Sequence, residues 1–311
     1  MNLSPIILFV YNRPQHTKAL LESLSRNELA AESDLIVYSD GPRDESDLER
    51  IKEVRAMIEK IDFCKTLKLV KSQRNNGLAK SILYGVSETL ENHKSAIVLE
   101  DDLQLSSGFL KYMNQALDLY KDDKVVMHVS GYLQPIDLNQ NATYFFNLAN
   151  CWGWATWKDR WAKLIKDPQE LKGRLIGSGK YNYFNLDGGS DLANQLDCNI
   201  WGIKNTWAVL WHGCIVLEDG FCLHPGMSLV RNTGFDGSGE NTGNDLVFSN
   251  QKIIKEIHVK RIEIKESEEI RNKVKDFFLG GKTWWKKYMY LNYAKSSLIS
   301  TLFRFYIKSS K

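Results

Sequence analysis

The sequence has little cysteine, little net charge and no long apolar run. Five cysteines are scattered over 311 residues, and none forms a C-x-x-C pair. This odd, scattered set is typical of reduced thiols in a cytoplasm and argues against a disulfide framework. The formal net charge of +3 gives no argument for a nucleic-acid partner, so we expect none.

Membrane-spanning and export signals are absent from the sequence pattern. No apolar run approaches the ~18 residues that cross a bilayer. The first residues lack the basic region and long apolar core of a signal peptide. We therefore expect a cytoplasmic protein. Its 43% hydrophobic and 25% charged residues are ordinary for a globular chain with a large buried core.

The first half of the chain alternates strand and helix patterns. Short apolar runs predict strands, the first two of which are closed by Asn, Gly or Pro, and segments with helical apolar spacing lie between them. The predicted strands are 5–11, 34–40, 66–70, 95–100 and 124–130; the predicted helices are 15–26, 45–60, 77–91 and 107–120. Repeated βα units indicate an α/β fold with a mostly parallel sheet flanked by helices, which binds ligands at the carboxyl ends of its strands.

Three consecutive acids, Glu100–Asp102, follow the fourth predicted strand. The loops Tyr11–Arg13 and Ser39–Gly41 follow the first two strands, so all three segments are expected at one edge of the sheet. Clustered carboxylates are stabilised best by a hard divalent cation and an anion that the cation bridges. The alternative is that these acids cap the next helix and face water.

The second half is rich in tryptophan. Residues 142–161 predict a strand, a Gly-Trp turn and a helix that carries Trp157 and Trp161. Because these two residues are one helical turn apart, we expect them to pack in the core. Trp152 and Trp154 flank a glycine, and either a sugar-binding platform or core packing suits them.

Residues 206–224 predict a hairpin that turns at Glu218–Gly220. Such a hairpin could bring together two cysteines and two histidines as a zinc site. The four residues are His212, Cys214, Cys222 and His224. Packing on a strand pair is the more ordinary interpretation of this pattern.

Six segments in order resemble GT-A glycosyltransferases of family 2, related to N-acetylglucosaminyltransferase I and to bacterial surface-polysaccharide enzymes. They read "FVYNRPQHT", "SDGPR", "RNNGLAKSI", "VLEDDLQLSSGFL", "CWGWATWKDRW" and "HPGMSLVRNTGFDGSG". The resemblance implies a GT-A (Rossmann-like) domain over residues 1–250. Its nucleotide-sugar half would be 1–131 and its acceptor half 132–250.

The resemblance also implies an inverting, metal-dependent transfer from a nucleotide-sugar, with UDP as the expected nucleotide and Mn²⁺ or Mg²⁺ as the ion. Asp102 would contact the metal, and Asp40 would accept a hydrogen bond from uracil. The remaining implied donor contacts are Tyr11, Arg13, Arg74, Asn76, Gly77, Glu100, Asp101 and Arg231. Arg231 would meet phosphate beside a mobile Gly234–Gly243 segment.

A carboxylate must also remove the proton of the acceptor hydroxyl. Asp197 is the first candidate for this base and Asp191 the second; Asp187 and Asp236 are further candidates. Related sequences often carry Asp where this chain has Asn205, and His where it reads "SGENTG". These departures leave open a non-catalytic nucleotide- or glycan-binding protein. A sugar nucleotidyltransferase is a third possibility, but "YNRPQHT" lacks the glycines of its phosphate loop.

The C-terminal segment 251–311 is predicted to form a tail. Its last part, 281–311, contains seven Lys/Arg and no Asp/Glu, interleaved with aromatic residues. This pattern predicts an amphipathic helix on an anionic membrane surface, close to a lipid-linked glycan acceptor. A helix docked on the domain with a solvated basic face is the alternative.

Overall fold

The computed structural model describes residues 3–236 and 251–280 of the chain. Within them the protein forms two compact units. The first lies within Met1–Lys163 and Gly220–Glu266, and the second within Leu164–Asp219 and Ser267–Lys311. The functional division predicted at residues 131 and 250 stays a prediction.

The first unit is built on a mostly parallel sheet. Among the described residues, eight strands pair in the order β3-β2-β1-β4-β8-β6-β9-β7. These strands are β1 Ile6–Val10, β2 Asp34–Ser39, β3 Thr66–Lys71, β4 Ser95–Glu100, β6 Val126–Ser130, β7 Thr143–Phe146, β8 Trp154–Trp157 and β9 Phe221–Pro225. Strands β1 to β4 run parallel, whereas β8 is antiparallel to both of its neighbours. A second, antiparallel pair joins β5 Leu103–Leu105 to β10 Val230–Asn232.

Helices cover this sheet. They are α1 Pro14–Ser25, α2 Leu48–Ile58, α3 Leu78–Asn92, α4 Phe109–Leu119 and the single turn α5 Lys158–Trp161. All five residues of β1 are buried, as expected for a central parallel strand with helices on both faces. Helix α1 begins with Pro14, whose fixed φ suits the first helical position. The predicted α/β fold, a mostly parallel sheet flanked by helices, is confirmed.

The second unit is helical in its described residues. Its helices are α6 Pro168–Gly177, α7 Tyr181–Phe184, α8 Leu192–Ile200, α9 Ala208–Leu217 and α10 Glu268–Gly280. The predicted hairpin over 206–224 is wrong in its first half, because residues 208–217 form α9 and not a strand. Residues on all sides of α9 are buried, so its sequence lacks the 3.6-residue alternation that marks a surface helix.

The prediction for the tryptophans is partly wrong. Trp157 ends strand β8 and only Trp161 is helical, although both are buried as expected. Trp154 is fully buried and stacks on His128, with ring centroids 5.4 Å apart. Trp152 is half-buried and contacts the ring of Tyr132 edge-on at 4.4 Å.

In the described residues, no helix has the length and apolar character needed to cross a membrane. The predicted membrane-surface helix at 281–311 and most of the Gly234–Gly243 segment lie outside the described residues.

Candidate functional site

The carboxyl ends of β1, β2 and β4 meet at one edge of the sheet. In the parallel register, Phe9 pairs with Glu100 and Val10 pairs with Ser39. The residues that follow these positions therefore emerge side by side. The structure thus brings together the three loops that the sequence placed at this edge.

Arg13 links the first loop to the acidic triplet. It is the residue before α1, and its guanidinium donates to Asp101 and, at 3.1 Å, to Asp102 Oδ2. The backbone N–H of Tyr11 donates to the Asp101 carboxylate at 3.3 Å. The side chains of Asp101 and Asp102 are only 5% and 10% exposed. Water therefore screens their attraction to Arg13 only weakly. These charges raise the pKa of Arg13 despite its burial.

Asp102 has one carboxylate oxygen left over. Its Oδ1 is buried and accepts no hydrogen bond, whereas Oδ2 accepts from Arg13. Burial raises the pKa of Asp102, and the charge of Arg13 opposes this rise. At Glu100, burial and then the charges of Asp102 and Asp101 raise the pKa to about 8. The charged forms of Glu100 and Asp102 are therefore costly in this site, and a bound cation would stabilise them.

This donor set fits a divalent cation that brings other ligands with it. Among residues 3–236 and 251–280, no group of three or more His, Cys, Asp or Glu side chains is arranged to hold a metal. Mg²⁺ in proteins is typically bound through one or two carboxylates, together with substrate phosphates and water. An unpartnered, buried Asp102 oxygen is the kind of ligand that such an ion needs, because an unsatisfied buried carboxylate oxygen is otherwise costly.

The segment 233–236 packs against Asp102. The backbone N–H and the hydroxyl of Thr233 donate to the Asp102 carbonyl at 2.7 and 2.9 Å. Gly234 packs on the carboxylate so closely that a Cβ there would lie 3.0 Å from Asp102 Cγ and nearer still to Oδ2. Phe235 meets the ring of Trp152 at 5.4 Å. Asp236 Oδ2 lies 3.2 Å from Nε2 of His16, in the first turn of α1.

Asp40 fixes the loop that leads into α3. Its carboxylate accepts hydrogen bonds from the backbone N–H groups of Gly41, Asn76 and Gly77, each at 2.9 Å. Gly41 in turn packs on the Arg74 backbone, where a Cβ would lie 2.5 Å from the Arg74 nitrogen. Asp40 therefore stabilises the backbone of this loop. Its hydrogen bond with uracil stays a prediction.

A cavity of about 390 Å³ opens beside this loop. Asp40 and Asn76 line it at the carboxyl ends of β2 and β3, and the aromatic rings of Tyr38 and Tyr84 form part of its wall. Tyr84 is 62% exposed, so its ring is accessible to a ligand. The volume of the cavity is within the range of small-ligand sites. Sequence analysis missed both tyrosines because they lie inside predicted regular elements.

Asp47 is a further residue that the sequence analysis missed. It accepts hydrogen bonds from the Tyr11 hydroxyl, from Asn12 Nδ2 at 2.5 Å and from the Arg43 N–H at 3.1 Å. The Tyr11 hydroxyl lowers the pKa of Asp47 most, whereas burial and then Asp47 raise the pKa of Tyr11 to about 12. Asp47 therefore holds the first loop in place from the start of α2. No sequence signal marked it, because Asp47 lies inside the helix predicted over 45–60.

The other predicted site residues occupy varied surroundings. Arg231 lies on β10 opposite Gln104 and donates to its side chain, while its Nε is buried without a hydrogen-bond partner. Asp197 is buried in α8 and forms an ion pair with Lys172. Asp191 precedes α8 and accepts from Gln195 Nε2 at 2.9 Å. Their roles as phosphate contact and base stay predictions.

The proposed zinc hairpin does not exist as predicted. His212 and Cys214 lie on α9, whereas Cys222 and His224 lie on β9. His212 Nε2 contacts the carbonyl of Phe184 at 3.1 Å, and burial lowers its pKa to about 4. Burial lowers the pKa of His224 to about 3. Both have the surroundings of neutral core histidines.

The sequence pattern of glycosyl transferase family 2 matches residues 6–179. No curated protein matches the chain. Among solved structures, it is similar to the mannosyltransferase PcManGT from Pyrobaculum calidifontis in complex with GDP-Man and Mn²⁺, with 13% identity, a TM-score of 0.30, and coverage of 42% of this chain and 37% of that one. It is also similar to TarS from S. aureus, with 16% identity, a TM-score of 0.30, and coverage of 45% of this chain and 24% of that one. A third similar structure is GalNAc-T7 with UDP, GalNAc and Mn²⁺, with 13% identity, a TM-score of 0.43, and coverage of 72% of this chain and 42% of that one. The chain spans less than half the length of each of these structures.

Proposed function

Because the chain belongs to glycosyl transferase family 2, we propose that it is a glycosyltransferase. It would move a sugar from a nucleotide-sugar, with UDP as the nucleotide, to a hydroxyl group of a glycan, and would invert the anomeric centre. One observation carries the proposal most strongly. Asp102 presents a buried carboxylate oxygen without a partner at the carboxyl end of a central parallel strand, where α/β sheets bind ligands.

Asp102 would hold the ion, which we propose to be Mn²⁺ or Mg²⁺. When bound, this ion neutralises the diphosphate and so stabilises it as a leaving group. Arg13 holds the carboxylates of Asp101 and Asp102 in position through its two ion pairs. Glu100 and Asp101 would then face the ribose and the donor sugar.

The nucleoside would occupy the region between the first loop and the Asp40 loop. Tyr11 is held there by Asp47, and Asp40 fixes the backbone of Asn76 and Gly77. A nucleobase that enters a preformed site costs less conformational entropy than one whose binding must order a mobile loop. Arg74 and Arg231 are the proposed cationic contacts of the diphosphate.

For the acceptor, we propose a surface glycan such as lipopolysaccharide or capsule, lipid-linked or free. The basic and aromatic composition of 281–311 supports peripheral contact with the inner face of the cytoplasmic membrane. Cytoplasmic localisation is part of the same proposal.

The test is hydrolysis of nucleotide-sugars in the absence of an acceptor, measured as nucleotide release from UDP- and GDP-sugars. We expect release from UDP-sugars with Mn²⁺ and its loss with EDTA. Asp102→Asn should lower the rate by about 100-fold or more, the size of effect seen when a group that stabilises developing charge is removed. Asp118→Asn is the matched control, since Asp118 lies on α4, is exposed and pairs with Lys121. Equal rates in EDTA would contradict the metal role, and nucleotide binding without release would favour a binding protein.

A further inference from the structure

Inverting transfer needs a carboxylate that is fixed close to the metal–diphosphate and open to the acceptor. The following inference rests on the proposed function. Four acids were candidates from the sequence, and the structure separates them by their surroundings. The base must stay unprotonated and must reach a hydroxyl proton within hydrogen-bond distance.

Three of the four acids lie in the second unit and are engaged there. The Asp197 side chain is 3% exposed and is ion-paired with Lys172. Asp187 is ion-paired with Arg271 at 3.0 Å. Asp191 accepts from Gln195 in the first turn of α8. Burial with a paired lysine keeps Asp197 from an incoming hydroxyl, so its environment is that of a structural carboxylate.

Asp236 differs from the other three acids in its position in the fold. It belongs to the same unit as Asp102, and its side chain is 50% exposed. Gly234 touches the Asp102 carboxylate. Two residues of extended chain span at most about 7 Å, so the Asp236 backbone lies within that distance of Gly234. Asp236 is therefore close to the metal ligand without being part of a three-carboxylate metal cluster in the described residues.

The segment that carries Asp236 is fixed at each residue. Thr233 binds the Asp102 carbonyl, Gly234 packs on its carboxylate, and Phe235 contacts Trp152. His16 then holds the Asp236 carboxylate from α1. A catalytic group must be held within a few tenths of an ångström of its working position, and four successive anchors provide such support.

We propose that Asp236 is the catalytic base and that His16 is its positioning residue. In this step the acceptor hydroxyl gives its proton to an Asp236 carboxylate oxygen. The acceptor oxygen forms a bond to the anomeric carbon, while the bond from that carbon to the diphosphate oxygen breaks and its electron pair leaves with the diphosphate. Trp152, half-buried beside Phe235, borders the same place and offers a ring to the acceptor sugar.

The experiment compares kcat for Mn²⁺-dependent hydrolysis with the Kd of UDP. The probes are UDP-glucose, UDP-galactose and their N-acetylated counterparts, with water as acceptor. Asp236→Asn should lower kcat by about 10²- to 10⁴-fold, the usual contribution of general acid–base catalysis, while the Kd of UDP with Mn²⁺ stays within about twofold. His16→Leu should lower kcat less, and His16→Gln, which keeps a donor near the same place, should restore most of it.

Thermal melting checks that every variant is folded. The inference is overturned if Asp236→Asn keeps kcat within about threefold of wild type. It is also overturned if this variant loses UDP binding, because Asp236 would then be a donor-site residue. Loss of kcat in folded Asp191→Asn or Asp197→Asn, with retention in Asp236→Asn, would assign the base to the second unit. If wild-type protein neither binds UDP nor hydrolyses any probe, the proposed function fails and the inference fails with it.

Discussion

Replacing Gly234 by alanine tests the close contact between the 233–236 segment and the acidic triplet. The added Cβ would lie 3.0 Å from Cγ of Asp102 and 3.1 Å from its Cβ, and closer still to Oδ2. Either the carboxylate rotates or the segment moves. Rotation disturbs the 3.1 Å ion pair from Arg13 to Oδ2 and turns the free Oδ1 away from its present position.

We expect two measurable effects of this substitution. Overpacking of a tight contact costs about 1–3 kcal/mol in the free energy of unfolding. Misplacing the support of a metal ligand typically weakens metal affinity by about 10- to 100-fold. That weakening corresponds to about 1.4–2.7 kcal/mol of binding free energy.

The assay is electron paramagnetic resonance of free Mn²⁺ during titration with protein, at saturating UDP. Gly173→Ala is the control, because a Cβ at that position of α6 has no neighbour within 4 Å. It should leave Mn²⁺ binding unchanged and raise stability by about 0.5–1 kcal/mol, since alanine favours a helix over glycine. Gly234→Ala that binds Mn²⁺ as tightly as wild type, while residues 233–236 stay rigid, would refute the argument.

Other substitutions and pH changes follow from the same geometry. Gly41→Ala places a Cβ 2.5 Å from the Arg74 backbone nitrogen, so it should lower stability by about 1–3 kcal/mol and weaken UDP binding, as measured by urea unfolding and calorimetry. Arg13→Met removes the cation from two nearly buried carboxylates and should lower stability by about 3 kcal/mol or more, with a larger stabilisation by Mn²⁺ than wild type shows in thermal melts. Burial lowers the folded-state pKa of His212 to about 4 and that of His224 to about 3. The unfolded chain therefore binds more protons below pH ~6.5, and each histidine should lower the free energy of unfolding by about 1.4 kcal/mol per pH unit as the pH falls towards its folded-state pKa.

Each of these outcomes has a contrary result. Wild-type UDP affinity in Gly41→Ala would show that the Asp40 loop does not shape the nucleotide site. Loss of Mn²⁺ response in Arg13→Met would show that Arg13, and not the carboxylates alone, creates the metal site. For the histidines, His224→Phe should reduce the acid slope of stability between pH 4 and 6, and an unchanged slope would mean that His224 is protonated in the fold.

The first half of the fold was predictable because its signals are local. Short apolar runs marked β1 to β4, and the observed bounds agree within one or two residues. Helix α9 was mistaken for a strand because all of its faces are buried, which removes the helical period. Strands β5 and β10, of three residues each, carry too few side chains to show an alternation.

The site was predictable where its residues follow strands and was missed where contacts join distant segments. The acidic triplet and Asp40 stand directly after β4 and β2, so topology alone placed them at one edge. Asp47 and His16 act through side-chain contacts to residues about 35 and 220 positions away, and such pairings depend on tertiary packing.

The central claim is that the buried carboxylate of Asp102 binds a metal–diphosphate. The most direct test is calorimetric titration of UDP into wild-type protein, Asp102→Asn and the Asp118→Asn control, each with and without Mn²⁺. We predict UDP binding that requires Mn²⁺ in wild type and in the control, and its loss in folded Asp102→Asn. UDP binding that is equal with and without Mn²⁺, or that persists in Asp102→Asn, would contradict the account.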